Sequence, residues 1–148
     1  MKEKDVETLE KWTAIFQKIY KEIPDGFTAT LDPDVVDLNM EEGWVVARFP
    51  MTKWAANPMY NVHGGIIASL VDTASGMLCK FLTDTLEGGP TVSMSVNYLR
   101  SVPLDSVVCV RAVCKKHGRT LLFTTCEGYL EDAPDKTLFT GECCYLCP

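Results

Sequence analysis

Apolar side chains recur at Val6, Leu9, Trp12, Phe16 and Ile19, close to a 3.6-residue spacing, with charged residues between them. This pattern predicts an amphipathic helix over residues 3–22, stopped by Pro24-Asp25-Gly26. Asp34–Asn39 and Trp44–Phe49 read as strands around a turn at Glu41-Glu42-Gly43, the second closed by Pro50. A loop from Thr52 to Val62 leads into a segment that is apolar around most of a helical wheel: Ile67, Leu70, Val71, Ala74, Met77, Leu78, Phe81 and Leu82. A helix of this kind, from about Gly65 to Leu82, is buried. Glu87-Gly-Gly-Pro90 breaks the chain.

Beyond the break the period changes from 3.6 to 2. Val92, Met94, Val96 and Tyr98 alternate with Thr91, Ser93, Ser95 and Asn97, which predicts a half-buried strand over residues 91–98. Ser106–Lys116, Thr120–Glu131 and Lys136–Tyr145 are three more strands, joined by tight turns at 116–119 and 133–135. Consecutive strands favour an antiparallel sheet, and its apolar face needs a filling. The central helix supplies one. The expected class is α+β, an antiparallel sheet wrapped around one long helix, in a single domain over residues 1–148 whose residues 1–24 form the N-terminal helical segment.

Composition narrows the partners. With 148 residues and 47% hydrophobic side chains, the chain suits one domain with a real core. Net charge is −6 and the Lys and Arg residues are scattered, which argues against nucleic acid. Residues 1–11 are too charged for a secretory signal. Ser69, Asp72, Thr73, Ser75 and Gly76 interrupt the apolar run of the central helix, so no membrane span is expected. Of the seven cysteines, Cys79, Cys109, Cys114 and Cys126 lie in apolar or alternating segments and read as reduced thiols in a cytoplasmic protein. Cys144 and Cys147 have zinc-like spacing without a second pair or a histidine, so no metal site is expected.

The chemistry concentrates at the central helix. Gly65, Ser69, Asp72, Ser75, Gly76 and Cys79 fall near one another at spacings of three and four, a small and polar face on an otherwise apolar helix. A carboxylate there needs partners. The helix opens on His63-Gly64-Gly65, where the first amides lack internal acceptors and carry the positive end of the dipole. Such amides stabilise a carbonyl oxygen that gains negative charge. His63 either donates a hydrogen bond beside them or caps the turn.

Asn57 stands six residues before His63, Asp72 nine after it, and Thr91 opens the strand beyond the helix. This set resembles the hotdog-fold acyl-CoA thioesterases of the phenylacetate-degradation (PaaI-like) type, whose pattern is an amide side chain, five residues, His-Gly-Gly, six residues, then Asp or Glu. Thr91–Arg100 and Lys116-His-Gly-Arg-Thr120 look like the family's next strand and turn, and the likeness spans about residues 40–145. The resemblance implies a hotdog fold, hydrolysis of an acyl-CoA thioester, and a homodimer or homotetramer with sites between subunits. It implies that the Gly64 or Gly65 N–H polarises the carbonyl, that Asn57 and His63 hold the carbonyl or the water, that Asp72 is general base or nucleophile, and that Thr91 steadies the water. No cofactor is implied beyond the coenzyme A of the substrate. Arg100, Lys115, Lys116 and Arg119 are candidates to meet its phosphates. Some relatives place a threonine four residues after the acid, where this chain has Gly76.

Helix geometry adds a constraint. Gly64 and Asp72 are eight residues apart, roughly 12 Å along an axis rising 1.5 Å per residue. Reacting groups must lie within about 3–3.5 Å. The Asp72 that completes a His63-Gly64 corner is therefore expected from a second copy of the chain, across a two-fold axis. Three other functions fit these residues less well. A non-catalytic acyl-CoA binding module has no need of Asp72. A hotdog dehydratase or hydratase places its acid further along, where this chain has Met77. A ligand-sensing regulator needs a helix-turn-helix that one N-terminal helix cannot supply.

Overall fold

The computed structural model describes residues 1–87 and 89–147; Gly88, inside the expected chain break, lies outside the described residues. The elements run α1 (Glu3–Glu22), α2 (Phe27–Leu31), β1 (Asp34–Asn39), β2 (Trp44–Met51), α3 (Gly64–Thr83), β3 (Thr91–Tyr98), β4 (Ser106–His117), β5 (Leu121–Leu130) and β6 (Phe139–Leu146). Six antiparallel strands form one sheet in the order β1-β2-β4-β5-β6-β3. α3 packs on β2 through β6.

The apolar stripe of α3 makes this packing. Leu70, Val71, Ala74 and Leu78 are fully buried, and Ile67, Met77 and Phe81 nearly so, against Val45, Phe49, Val110, Leu122 and Phe139 of the sheet. A Cβ on Gly141 would lie 2.5 Å from Val71 Cγ1, so only glycine lets α3 approach β6 this closely. By length and composition α3 is apolar enough to cross a membrane, and half of its most apolar stretch is spent on this core.

α1 is anchored by Trp12, which is buried between Phe16 and Phe81, with ring centroids 5.6 and 5.5 Å away. It therefore lies against the C-terminal part of α3. Its buried Asp5 accepts a hydrogen bond from the Met40 N–H at 3.0 Å, tying the helix to the end of β1.

Several sequence expectations need correction. The short helix α2 follows the Pro24-Asp25-Gly26 stop, where the sequence had no element. β2 continues through Pro50 to Met51 rather than closing at it. β1 ends opposite Arg48, so on that side no ladder bond is required of the proline nitrogen. β6 starts at Phe139, because Lys136 N–H closes a turn onto the Ala133 carbonyl and Leu138 N–H bonds the Gly128 carbonyl. Ser75 and Cys79 do not share the polar face of α3: both are buried, and Ser75 Oγ bonds Cys126 Sγ at 2.9 Å and accepts from Thr124 Oγ1 at 3.0 Å.

The largest correction concerns β3. Its alternation predicts one buried face, yet it is an edge strand, with Val92, Met94 and Tyr98 exposed by 58%, 41% and 54%. Alternation reports which side chains prefer burial, not whether one chain supplies the cover.

Candidate active site

The loop before α3 is fixed by its own backbone. Asn57 Oδ1 accepts from the N–H groups of Met59 (2.9 Å) and Asn61 (3.1 Å), and Tyr60 takes a left-handed conformation to close the turn. His63 N–H bonds the Ala55 carbonyl at 2.7 Å, and Val62 N–H bonds Val102 at 2.9 Å. Thus the Asn57 side-chain oxygen is a structural acceptor within its loop, and its NH₂ makes no hydrogen bond among the described residues.

His63 is the N-cap of α3. Its Nδ1 accepts the Gly65 N–H at 2.9 Å. An accepting Nδ1 puts the ring proton of neutral His63 on Nε2, which faces outward as a donor. A Cβ on Gly65 would lie 3.1 Å from that Nδ1, so the second glycine makes room for the cap. Of the two glycine amides that sequence reasoning left open, Gly65's is therefore occupied. Among the described residues the Gly64 N–H has no acceptor. It is the amide presented at the positive end of the helix. Tyr98, which the sequence reading passed over as a strand residue, steadies this corner: its hydroxyl donates to the Gly64 carbonyl at 2.9 Å, and its ring covers Gly64.

Asp72 lies two turns further along the same helix. Its Oδ1 accepts from Thr91 Oγ1 at 2.7 Å and from Tyr145 Oη at 3.0 Å. Tyr145 also reaches the Asp72 carbonyl at 2.8 Å. Two donors on one oxygen fix the plane of the carboxylate, and Oδ2 makes no hydrogen bond among the described residues. Burial drives the Tyr145 hydroxyl far above the ordinary tyrosine range, with Cys143 and Asp72 reinforcing it, so it stays protonated and donates.

Thr91 reaches Asp72 through an irregularity of register. It pairs with Tyr145, whereas Ser93 pairs with Cys144 and Met94 with Cys143. A bulge at Val92 therefore turns Thr91 away from the Ser93, Ser95 and Asn97 face, where strict alternation had put it, and onto the α3 side. Tyr145 was missed because, from sequence, it is an aromatic at a strand end. Only the pairing of its strand with Thr91 reveals its role.

The cations separate. Arg100 donates to the Thr137 carbonyl at 2.6 Å, at the sheet end that holds Tyr98 and the Gly64 corner. Lys115, Lys116 and Arg119 are exposed around the β4–β5 turn, at the opposite end of the sheet, the end where Thr91 lies. Asp72, Thr91 and Tyr145 line a cleft of about 290 Å³ that runs under α1, with Phe16, Ile19, Tyr20, Gly76, Met77 and Lys80 among its other lining residues.

Residues 59–135 of this chain, which contain the Gly64 corner, Asp72 and Thr91, match the Thioesterase superfamily. The chain belongs to that superfamily. This thioesterase-superfamily chain is 31% identical over 87 residues to human acyl-coenzyme A thioesterase 13, covering 57% of this chain and 60% of that protein. It is 29% identical over 107 residues to the acyl-coenzyme A thioesterase THEM4 of Xenopus laevis, covering 68% and 47%. It thus spans about half the length of such relatives. The zebra fish thioesterase superfamily member 2 superposes with a TM-score of 0.79 at 24% identity, covering 95% of this chain and 98% of that one. The E. coli PaaI protein of the phenylacetic acid degradation operon does so with a TM-score of 0.76 at 18% identity, covering 97% and 95%. A hypothetical thioesterase protein of Streptococcus pneumoniae, solved with coenzyme A, superposes with a TM-score of 0.68 at 22% identity, covering 78% and 87%. The fold is the hotdog fold, a six-stranded antiparallel sheet around a central helix.

Proposed function

We propose that this protein hydrolyses acyl-CoA thioesters at a site built by two copies of the chain. The observation that carries the reading is the Asp72 carboxylate. Thr91 and Tyr145 pin one oxygen and leave the other open at a cleft, on the helix whose first amide, Gly64 N–H, has no acceptor among the described residues. Relatives named acyl-coenzyme A thioesterases, and a fold neighbour solved with coenzyme A, support the substrate class.

Gly64 and Asp72 of one chain are separated by roughly 12 Å of helix. The edge strand β3 offers the means of joining them. Its outer edge is unpaired and it exposes Val92, Met94 and Tyr98, a surface suited to association with a second β3. A two-fold axis there lays two α3 helices antiparallel, so that Asp72 faces the Gly64 corner of the partner subunit. Lys116 and Arg119 at the Asp72 end of one chain and the partner subunit's Arg100 at its Gly64 corner then flank that site, where they meet the phosphates of coenzyme A. Seven free thiols suit a reducing compartment, the cytoplasm.

In this arrangement the partner subunit's Gly64 N–H binds the thioester oxygen, with His63 Nε2–H and the Asn57 NH₂ of the same corner as further donors. Water attacks the carbonyl carbon while Asp72 Oδ2 takes its proton as general base. The oxyanion forms at the positive end of α3, where one such donor is worth about 2.7–4 kcal/mol. The intermediate collapses by breaking the C–S bond. The departing thiolate needs little acid help, since a thiol ionises near pH 8.5, and the proton on Asp72 returns to solvent or thiolate.

The test is thiol release from phenylacetyl-, benzoyl-, butyryl- and palmitoyl-CoA, wild type beside Asp72→Asn. Turnover of at least one ester, reduced about a hundredfold or more in the variant, is expected for a lost general base. Tight binding of these esters by an intact dimer without turnover would replace hydrolysis with a binding role.

A further inference from the structure

The cleft beneath Asp72 lies between α3, the sheet residues Thr91 and Tyr145, and α1. Three of its lining side chains, Phe16 and Tyr20 from α1 and Met77 from α3, also line a second cavity of about 180 Å³ and so stand between the two. Between Asp72 and this partition sits Gly76. A Cβ there would lie 3.8 Å from Tyr145 Oη, an ordinary contact, so packing does not require glycine. Glycine within a helix is destabilising relative to alanine. The space left by the missing side chain belongs to the cleft. The partition itself is soft. Met77 is an unbranched thioether that repacks readily, and Tyr20 Oη is buried without a hydrogen-bond partner among the described residues.

We propose that Phe16, Tyr20 and Met77 form the end wall of the acyl pocket, and that Gly76 provides its opening, so that α1 measures the length of the acyl group. This rests on the acyl-CoA hydrolase reading above. With the carbonyl at Asp72, the acyl group runs along the Asp72–Gly76–Met77 side of α3. Five residues of helix give roughly 7.5 Å before the wall. A staggered chain advancing about 1.25 Å per carbon fits on the order of six to eight carbons into that length. A compact aryl group fits as well. Palmitoyl does not fit unless the partition opens into the second cavity.

The experiment is kcat/KM for a saturated series from butyryl- to palmitoyl-CoA, with Kd of the same esters measured on Asp72→Asn by calorimetry. For wild type, kcat/KM rises by up to about fourfold per buried methylene and then breaks near eight carbons. Met77→Ala moves the break to longer chains, so that the ratio of palmitoyl to butyryl kcat/KM rises. Tyr20→Ala does the same at a position that gives up no hydrogen bond, so a poorly folded Met77→Ala does not decide the matter. Gly76→Leu moves the break to shorter chains. Folded Met77→Ala and Tyr20→Ala proteins with the wild-type break, or a wild type that prefers palmitoyl, would overturn the wall. Absence of turnover with a length-dependent Kd that shifts in Met77→Ala would overturn hydrolysis and keep the wall. Esters that neither bind nor react would overturn both.

Discussion

At the scale of single residues, Asp72 depends on its two hydroxyl donors. Tyr145 is 1% exposed and bonds both the side chain and the carbonyl of Asp72. A hydrogen bond to a charged group is worth about 1.5–3 kcal/mol, so Tyr145→Phe and Thr91→Ala are each expected to lower kcat about tenfold with KM little changed. Thr91→Ser, which keeps the hydroxyl, is expected to recover most of the activity. Steady-state kinetics on the best ester checks this; a Thr91→Ser variant as impaired as Thr91→Ala would show that the methyl packing matters and the hydrogen bond does not. Asp72, His63, Gly64 and Thr91 are all legible from the sequence, because their types and spacings carry the chemistry. Tyr145 and Tyr98 are not, because an aromatic on a strand carries no sign of the carbonyl or carboxylate it will meet.

At the scale of elements, β3 carries the decision between monomer and assembly. Its apolar residues are real, and the sequence alternation reports them. Their cover is missing within one chain. Charge on an edge strand blocks pairing, so Met94→Lys is expected to give a folded monomer that has lost turnover. Sedimentation analysis beside circular dichroism and the thiol-release assay tests it. A monomeric Met94→Lys protein with wild-type turnover would place Gly64 and Asp72 in separate roles. The bulge at Val92 belongs to this scale too. It is a matter of register between two strands, and no local pattern in residues 91–98 announces it.

At the scale of the whole molecule, the core holds thiols as hydrophobes. Cys126 is buried, and burial raises its thiol from an ordinary value of 9.0 to about 12, against the opposing effect of its Ser75 hydrogen bond. In the unfolded chain this thiol ionises from about pH 9, while the folded protein keeps its proton up to about pH 12. The unfolded state then binds fewer protons, so stability is fully present below pH 9 and falls between 9 and 12. The loss from this one group is up to about 1.4 kcal/mol per pH unit. Urea midpoints at pH 8 and pH 10 measure it. Equal midpoints in wild type and Cys126→Ala across that range would show that the thiol does not ionise on unfolding as described.

What the sequence by itself determined is the set of elements and the reacting groups. Periodicity, glycine turns and the Asn57–His63–Asp72–Thr91 spacing are local, and local patterns survive in one dimension. It also determined, through a helical rise of 1.5 Å per residue, that Gly64 and Asp72 of one chain stay apart. The tertiary structure decided what depends on contacts between distant segments. Sheet order put β3 at an edge. Pairing of β3 with β6 delivered Tyr145 to Asp72. The docking of α1 through Trp12 closed the cleft with Phe16 and Tyr20. These are meetings of residues tens of positions apart, and packing alone selects them.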